Sequence, residues 1–130
     1  MTTRSRFLTA FTLALGLAAG AASAHAWGNA TRLTYLTFSG PVALPGVTLD
    51  AGTYAFELYD PGISTDVVLV RDRTRTHPFF LGFTRRIPRP DGMSHRGTVS
   101  LGEAARGEPK PIVAWYPPDT PDGLQFIYRR

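Results

Sequence analysis

The chain has 130 residues, 43% of them hydrophobic, with a formal net charge of +4 and no cysteine. Its length suits one domain with a real core, while the lack of thiols excludes disulfide staples, thiolate catalysis and cysteine-ligated metals. Nearly all the basic residues are arginine, Lys110 being the only lysine, and so small a charge surplus gives no reason to invoke nucleic acid.

The first 26 residues carry the pattern of an export signal. Arg4 and Arg6 form a short basic region, and Phe7 to Ala19 is an uncharged apolar run shorter than the roughly 20 residues a membrane span needs. Ala22-Ser23-Ala24 and Ala24-His25-Ala26 both present small residues at the spacing a signal peptidase reads, so cleavage is expected after Ala24 or Ala26. The expectation is a signal peptide over 1–26, a single domain over 27–130, and a periplasmic or secreted protein with no membrane span once the signal is removed. Losing Arg4 and Arg6 takes two charges from the surplus.

The mature chain then reads as short strands joined by turns. Thr31 to Phe38 is rich in β-branched and aromatic residues, and Ser39-Gly40-Pro41 turns the chain. Val42-Ala43-Leu44 and Val47-Thr48-Leu49 flank a Pro45-Gly46 turn. Thr53 to Tyr59 alternates: Tyr54, Phe56 and Leu58 take one face, and Ala55, Glu57 and Tyr59 the other, which places Glu57 outside or at a rim. Asp60-Pro61-Gly62 is a turn, and Val67 to Val70, apolar on both faces, suits a covered central strand.

Asp72-Arg73-Thr74 reads as a hairpin connection into a strand from His77 to Thr84, where Gly82 marks a bulge or a close approach. Were 71–77 extended instead, Arg71, Arg73, Arg75 and His77 would share a face able to grip phosphate or carboxylate groups. Arg85 to Gly97, with Pro88, Pro90, Asp91-Gly92 and Gly97, reads as the longest irregular stretch. Thr98 to Leu101, Ile112 to Tyr116 and Leu124 to Tyr128 are further strands, with Pro117-Pro118 and Pro121-Asp122-Gly123 as breaks. About seven to eight short strands without helical periodicity predict an all-β chain, a single antiparallel β-sandwich or small barrel.

A resemblance is carried by Thr37-Phe38-Ser39-Gly40-Pro41-Val42, Leu44-Pro45-Gly46-Val47, Leu49, Ala51-Gly52-Thr53-Tyr54 with Phe56, Gly107-Glu108-Pro109, Ile112, Ala114-Trp115, and Gly123 with Phe126 and Tyr128. Through them the chain resembles a group of small exported bacterial β-rich proteins, over nearly the whole mature length. Tyr116-Pro117-Pro118 stands where that group has an aromatic followed by Pro-Gly. No activity or catalytic residue is assigned to the group, so the resemblance implies export and a β fold only.

Chemistry is thinly signposted. His77 and His95, with His25 if it is retained, lack metal-ligand spacing, and no cofactor or metal is expected. The aspartates fall mostly in turns, where their own backbone hydrogen bonds account for them; Glu57 and Glu103 could pair as acid and base, but solvated or ion-paired carboxylates are the simpler reading. Ser39 and Ser100 have no nucleophile-elbow context. Aromatics in strands are core first and stacking platforms second, with Trp27 and Tyr59 the best placed to be exposed. If there is a ligand site, it is expected at the 85–97 loop, with Arg85, Arg86, Arg89, His95 and Arg96 offering donors to an anionic envelope polymer. The expected function is a non-enzymatic envelope protein or a partner- or ligand-binding module. The alternatives are a small hydrolase or ligand-binding barrel using that loop, and a structural subunit that pairs by strand addition.

Overall fold

Thr53 to Leu58 alternates because one side of its strand meets the core, and in the computed structural model, which describes residues 31–129, that side is occupied by Tyr54, Phe56 and Leu58, all buried. The expected signal peptide, His25 and Trp27 lie outside the described residues. The strands are β1 (Thr34–Phe38), β2 (Val42–Leu44), β3 (Val47–Leu49), β4 (Gly52–Leu58), β5 (Val67–Asp72), β6 (Pro78–Pro88), β7 (Thr98–Leu101), β8 (Lys110–Tyr116) and β9 (Asp122–Phe126). The described residues contain no helix. The nine strands form one mixed sheet in the order β1-β4-β5-β6-β9-β8-β2-β3, with β7 on β8.

The sheet is not wholly antiparallel as expected. Val42 and Ala43 of β2 run parallel to Lys110 and Pro111 of β8. The chain leaves β2 through the tight β2–β3 hairpin, with Gly46 at a φ of 78°, so only a distant strand can fill the other edge of β2.

β6 is the strand that organises the rest. Its first half pairs with β5 and its second half with β9, Thr84 opposite Phe126 through Pro88 opposite Asp122. The irregular stretch expected over Arg85–Gly97 therefore begins later: Arg85 and Arg86 are strand residues, and the loop runs over 89–97. Pro88 had argued against a strand there. As the last residue of β6 it ends the strand without interrupting it.

Of the two readings of Gly82, a bulge or a close approach, the bulge lies instead at Phe79, where the register slips between Val70–Phe80 and Arg71–Pro78. The slip lets consecutive residues Phe79 and Phe80 both pack on the core. Phe79 meets Tyr54 edge-on at 5.5 Å, and Phe80 meets Phe126 at 5.5 Å. Gly82 is a close approach: a Cβ there would lie 2.8 Å from the Phe80 ring. Gly123 is likewise roofed by the Tyr116 ring. In both cases an aromatic covers strand backbone that a glycine leaves bare.

The core joins strands that are not neighbours. Phe56 of β4 and Trp115 of β8, both fully buried, lie 6.1 Å apart between ring centroids. Val68, Val70, Leu49 and Ile112 complete the dry centre, each side chain contributing about 1.5–3 kcal/mol by leaving water.

Candidate functional site

The 89–97 loop is held by one guanidinium. Arg89 Nη1 donates to the carbonyls of Pro117 (2.8 Å) and Thr120 (3.1 Å), and Nη2 to those of Ser94 and Arg96 (2.8 Å). The same side chain lies over the Tyr116 ring, 5.9 Å from its centroid. Backbone bonds from Arg89 to Pro121 (3.0 Å) and from Asp119 to His95 (2.9 Å) zip this loop to 117–121. A planar fork satisfying four carbonyls is a structural tie, and it leaves Arg89 little to offer a ligand.

The residues expected to form a site are thus divided. Arg89, His95 and Arg96 come together, and His95 lines two shallow clefts of about 600 Å³, one beside Arg89 and Asp91, the other beside Tyr35 and Arg96. Arg86 is turned away, ion-paired with Asp66 at 3.0 Å and hydrogen-bonded to Thr65. Arg85 stands exposed on β6 opposite Gln125. Among the described residues no cluster of three histidines and carboxylates is placed to hold a metal ion.

The 71–77 segment is the hairpin its sequence suggested, and Asp72 builds it. Its carboxylate accepts from the backbone N–H groups of His77 (2.9 Å) and Thr76 (2.8 Å) and from the Thr74 and Thr76 hydroxyls. The bond from His77 above all, with those from Thr74 and Thr76, holds this carboxyl well below the usual carboxylate range. The turn folds Arg75 back beside Arg71, and both guanidinium groups bond Glu57, Arg71 to Oε1 and Arg75 to Oε2 at 2.8 Å. Glu57 was expected outside or at a rim. Alternation does point it away from the core, but the two arginines cover it until only 3% remains exposed. No sequence spacing announces this triad, because its partners come from the next strand and the turn beyond it.

The same outward face carries an unannounced apolar surface. Val67 pairs with Phe83 and Leu69 with Leu81 across β5 and β6. Tyr59, whose N–H donates to the Val67 carbonyl, extends this set on one side, and Ile127, one residue beyond Phe126, extends it on the other. Tyr59, Phe83, Leu81 and Ile127 are all at least half exposed, and Phe83 reaches 72%. Ile63, in the adjoining β4–β5 turn, is 84% exposed. Single exposed apolar residues are ordinary; a row crossing four strands is not. Leu81 and Phe83, two positions apart, mark an apolar face of β6, but nothing in the sequence shows that this face is left uncovered.

A scan against protein-family models finds no match, and neither curated proteins nor solved structures give one.

Proposed function

We propose that this protein is an exported, non-enzymatic β-sandwich that binds a partner in the cell envelope, from the periplasm or after secretion, through the outward face of β4, β5, β6 and β9. The carrying observation is the row Tyr59–Val67–Phe83–Ile127, an apolar strip that a chain of this charge has no folding reason to expose. The export half of the reading rests on the residue 1–26 pattern and on the resemblance to small exported proteins. The sandwich description rests on Phe56–Trp115 packing between non-adjacent strands of one sheet. A hydrolase reading is weaker because Glu57 is committed to two arginines and Arg89 to four carbonyls. Strand addition has free edges to use, since β1, β3 and β7 each pair on one side only among the described residues, but the apolar row lies on the face of the sheet and not along those edges.

Fractionation of the native host tests both halves. The protein should be recovered from the envelope or medium with His25 or Trp27 as its first residue, and Phe83→Ser should release it from whatever envelope component retains it. A cytoplasmic protein starting at Met1, or retention indifferent to Phe83→Ser, overturns the reading.

A further inference from the structure

The apolar face has a definite chemistry around it. Along the same outward side, Arg71 and Arg75 outnumber their one acidic partner, Glu57, and so leave one positive charge. Arg85 follows Phe83 by two positions on that face, is exposed, and has no ion-pair partner among the described residues. Arg129 is exposed two residues beyond Ile127. Of the nearby acids, Asp66 is engaged by Arg86, while Asp60 is exposed at the turn and keeps its charge, so the three cationic contributions outnumber one free acid.

The shape matters as much as the charge. Ile63 stands proud at the tip of the β4–β5 turn, held there by its N–H bond to the Asp60 carbonyl (3.0 Å). Asp60 takes a φ of 51° to make that turn. A projecting isoleucine, an exposed phenylalanine and a tyrosine with a polar tip, bordered by arginines, suit a soft apolar boundary whose rim is anionic better than a rigid protein surface.

We infer that the outward face of β4–β5–β6–β9 docks on an anionic lipid surface, with Ile63, Phe83 and Ile127 entering the headgroup–acyl boundary and Arg85 and the Arg71–Arg75 pair meeting lipid phosphates. This rests on the partner-binding reading above and names its partner. Docking is peripheral: the side chains reach the interface, and no strand crosses the bilayer. Burial of Ile63 and Phe83 supplies the salt-insensitive part, and the arginines supply the part that salt screens.

The test is sedimentation of the mature protein with vesicles of phosphatidylcholine alone or of phosphatidylcholine mixed with phosphatidylglycerol, at low and high salt. Wild type should bind the mixed vesicles, and high salt should weaken binding several-fold. Phe83→Ser and Ile63→Ser should each weaken it by about tenfold, and Arg85→Glu should remove much of the preference for phosphatidylglycerol. Because these side chains are exposed, unchanged circular dichroism and melting should accompany each substitution. Equal binding to neutral and anionic vesicles overturns the charged half of the proposal, and no binding to either overturns it whole. Light scattering adds a further outcome: a wild-type dimer split by Phe83→Ser makes the face a self-interface and also overturns it. If vesicles fail while Phe83→Ser still releases the protein from host envelopes, the partner is a protein or polymer, and the binding-module reading stands without the lipid.

Discussion

Glu57→Gln is the substitution that most directly tests how this sheet is held. The change keeps the shape and removes one negative charge from a side chain that is 4% exposed. Arg71, with 23% of its side chain exposed, then keeps a largely desolvated cation without a counter-charge, whereas Arg75, at 41%, can turn to water. Breaking a fully buried pair costs about 3–5 kcal/mol, and an exposed one under about 1 kcal/mol. The partial exposure of both arginines places Glu57→Gln between these, at about 2–3 kcal/mol. Arg75→Ala should cost less than about 1 kcal/mol, and most of that should vanish in high salt. Urea unfolding of the single variants and of Glu57→Gln/Arg71→Gln closes a double-mutant cycle, in which the double variant should be less damaged than the sum of its parts. A Glu57→Gln protein as stable as wild type would show that the triad is solvated in solution and that the covering arginines carry no weight.

Phe56→Ala should cost about 3–5 kcal/mol by denaturant unfolding, since it opens a hole beside Trp115 that the surrounding strands cannot collapse to fill. Arg89→Lys should cost about 2 kcal/mol despite keeping the charge, because an ammonium cannot serve carbonyls on both loops; a melting temperature equal to wild type would refute the tie. Alkali should destabilise the fold through Tyr128, whose burial pushes its pKa up to about 12 and whose hydroxyl donates to the Ile112 carbonyl at 2.6 Å. With the folded value raised, that contribution is intact below about pH 10 and is lost as the pH climbs through about 12, so Tyr128→Phe should melt with a flatter dependence over that range.

What could be read from the sequence was whatever depends on neighbours along the chain. The Tyr54, Phe56 and Leu58 face, the Pro45-Gly46 turn and the Asp72 hairpin are each set by residues a few positions apart, and each is present. For Glu57, periodicity gives a direction and not a covering: Arg71 and Arg75 arrive from 14 and 18 residues away. For Arg86 and Arg89 a sequence shows a charge without its acceptors, and here the acceptors are Asp66 and four carbonyls. The extent of β6 was hidden by Pro88, a breaker that costs nothing at the strand's last position. The parallel β2–β8 pair has no local signal at all, since it exists only once both hairpins around it have formed.

The long strand β6 has a consequence for how the domain comes apart. Its residues up to Phe83 are bonded to β5 and those from Thr84 to β9, with Thr84 also bonding the Asp66 carbonyl through both its N–H (2.8 Å) and its hydroxyl (2.6 Å). Peeling β9 away strips the second half of β6, and releasing β5 strips the first, so neither set of strands can melt while leaving the other a finished edge. Local openings are then confined to the margins, β1, β3, β7 and the turns, and the loss of the centre is all-or-none. Amide protons along Val68, Val70 and Thr84 should exchange only with global unfolding, as one cooperative unit.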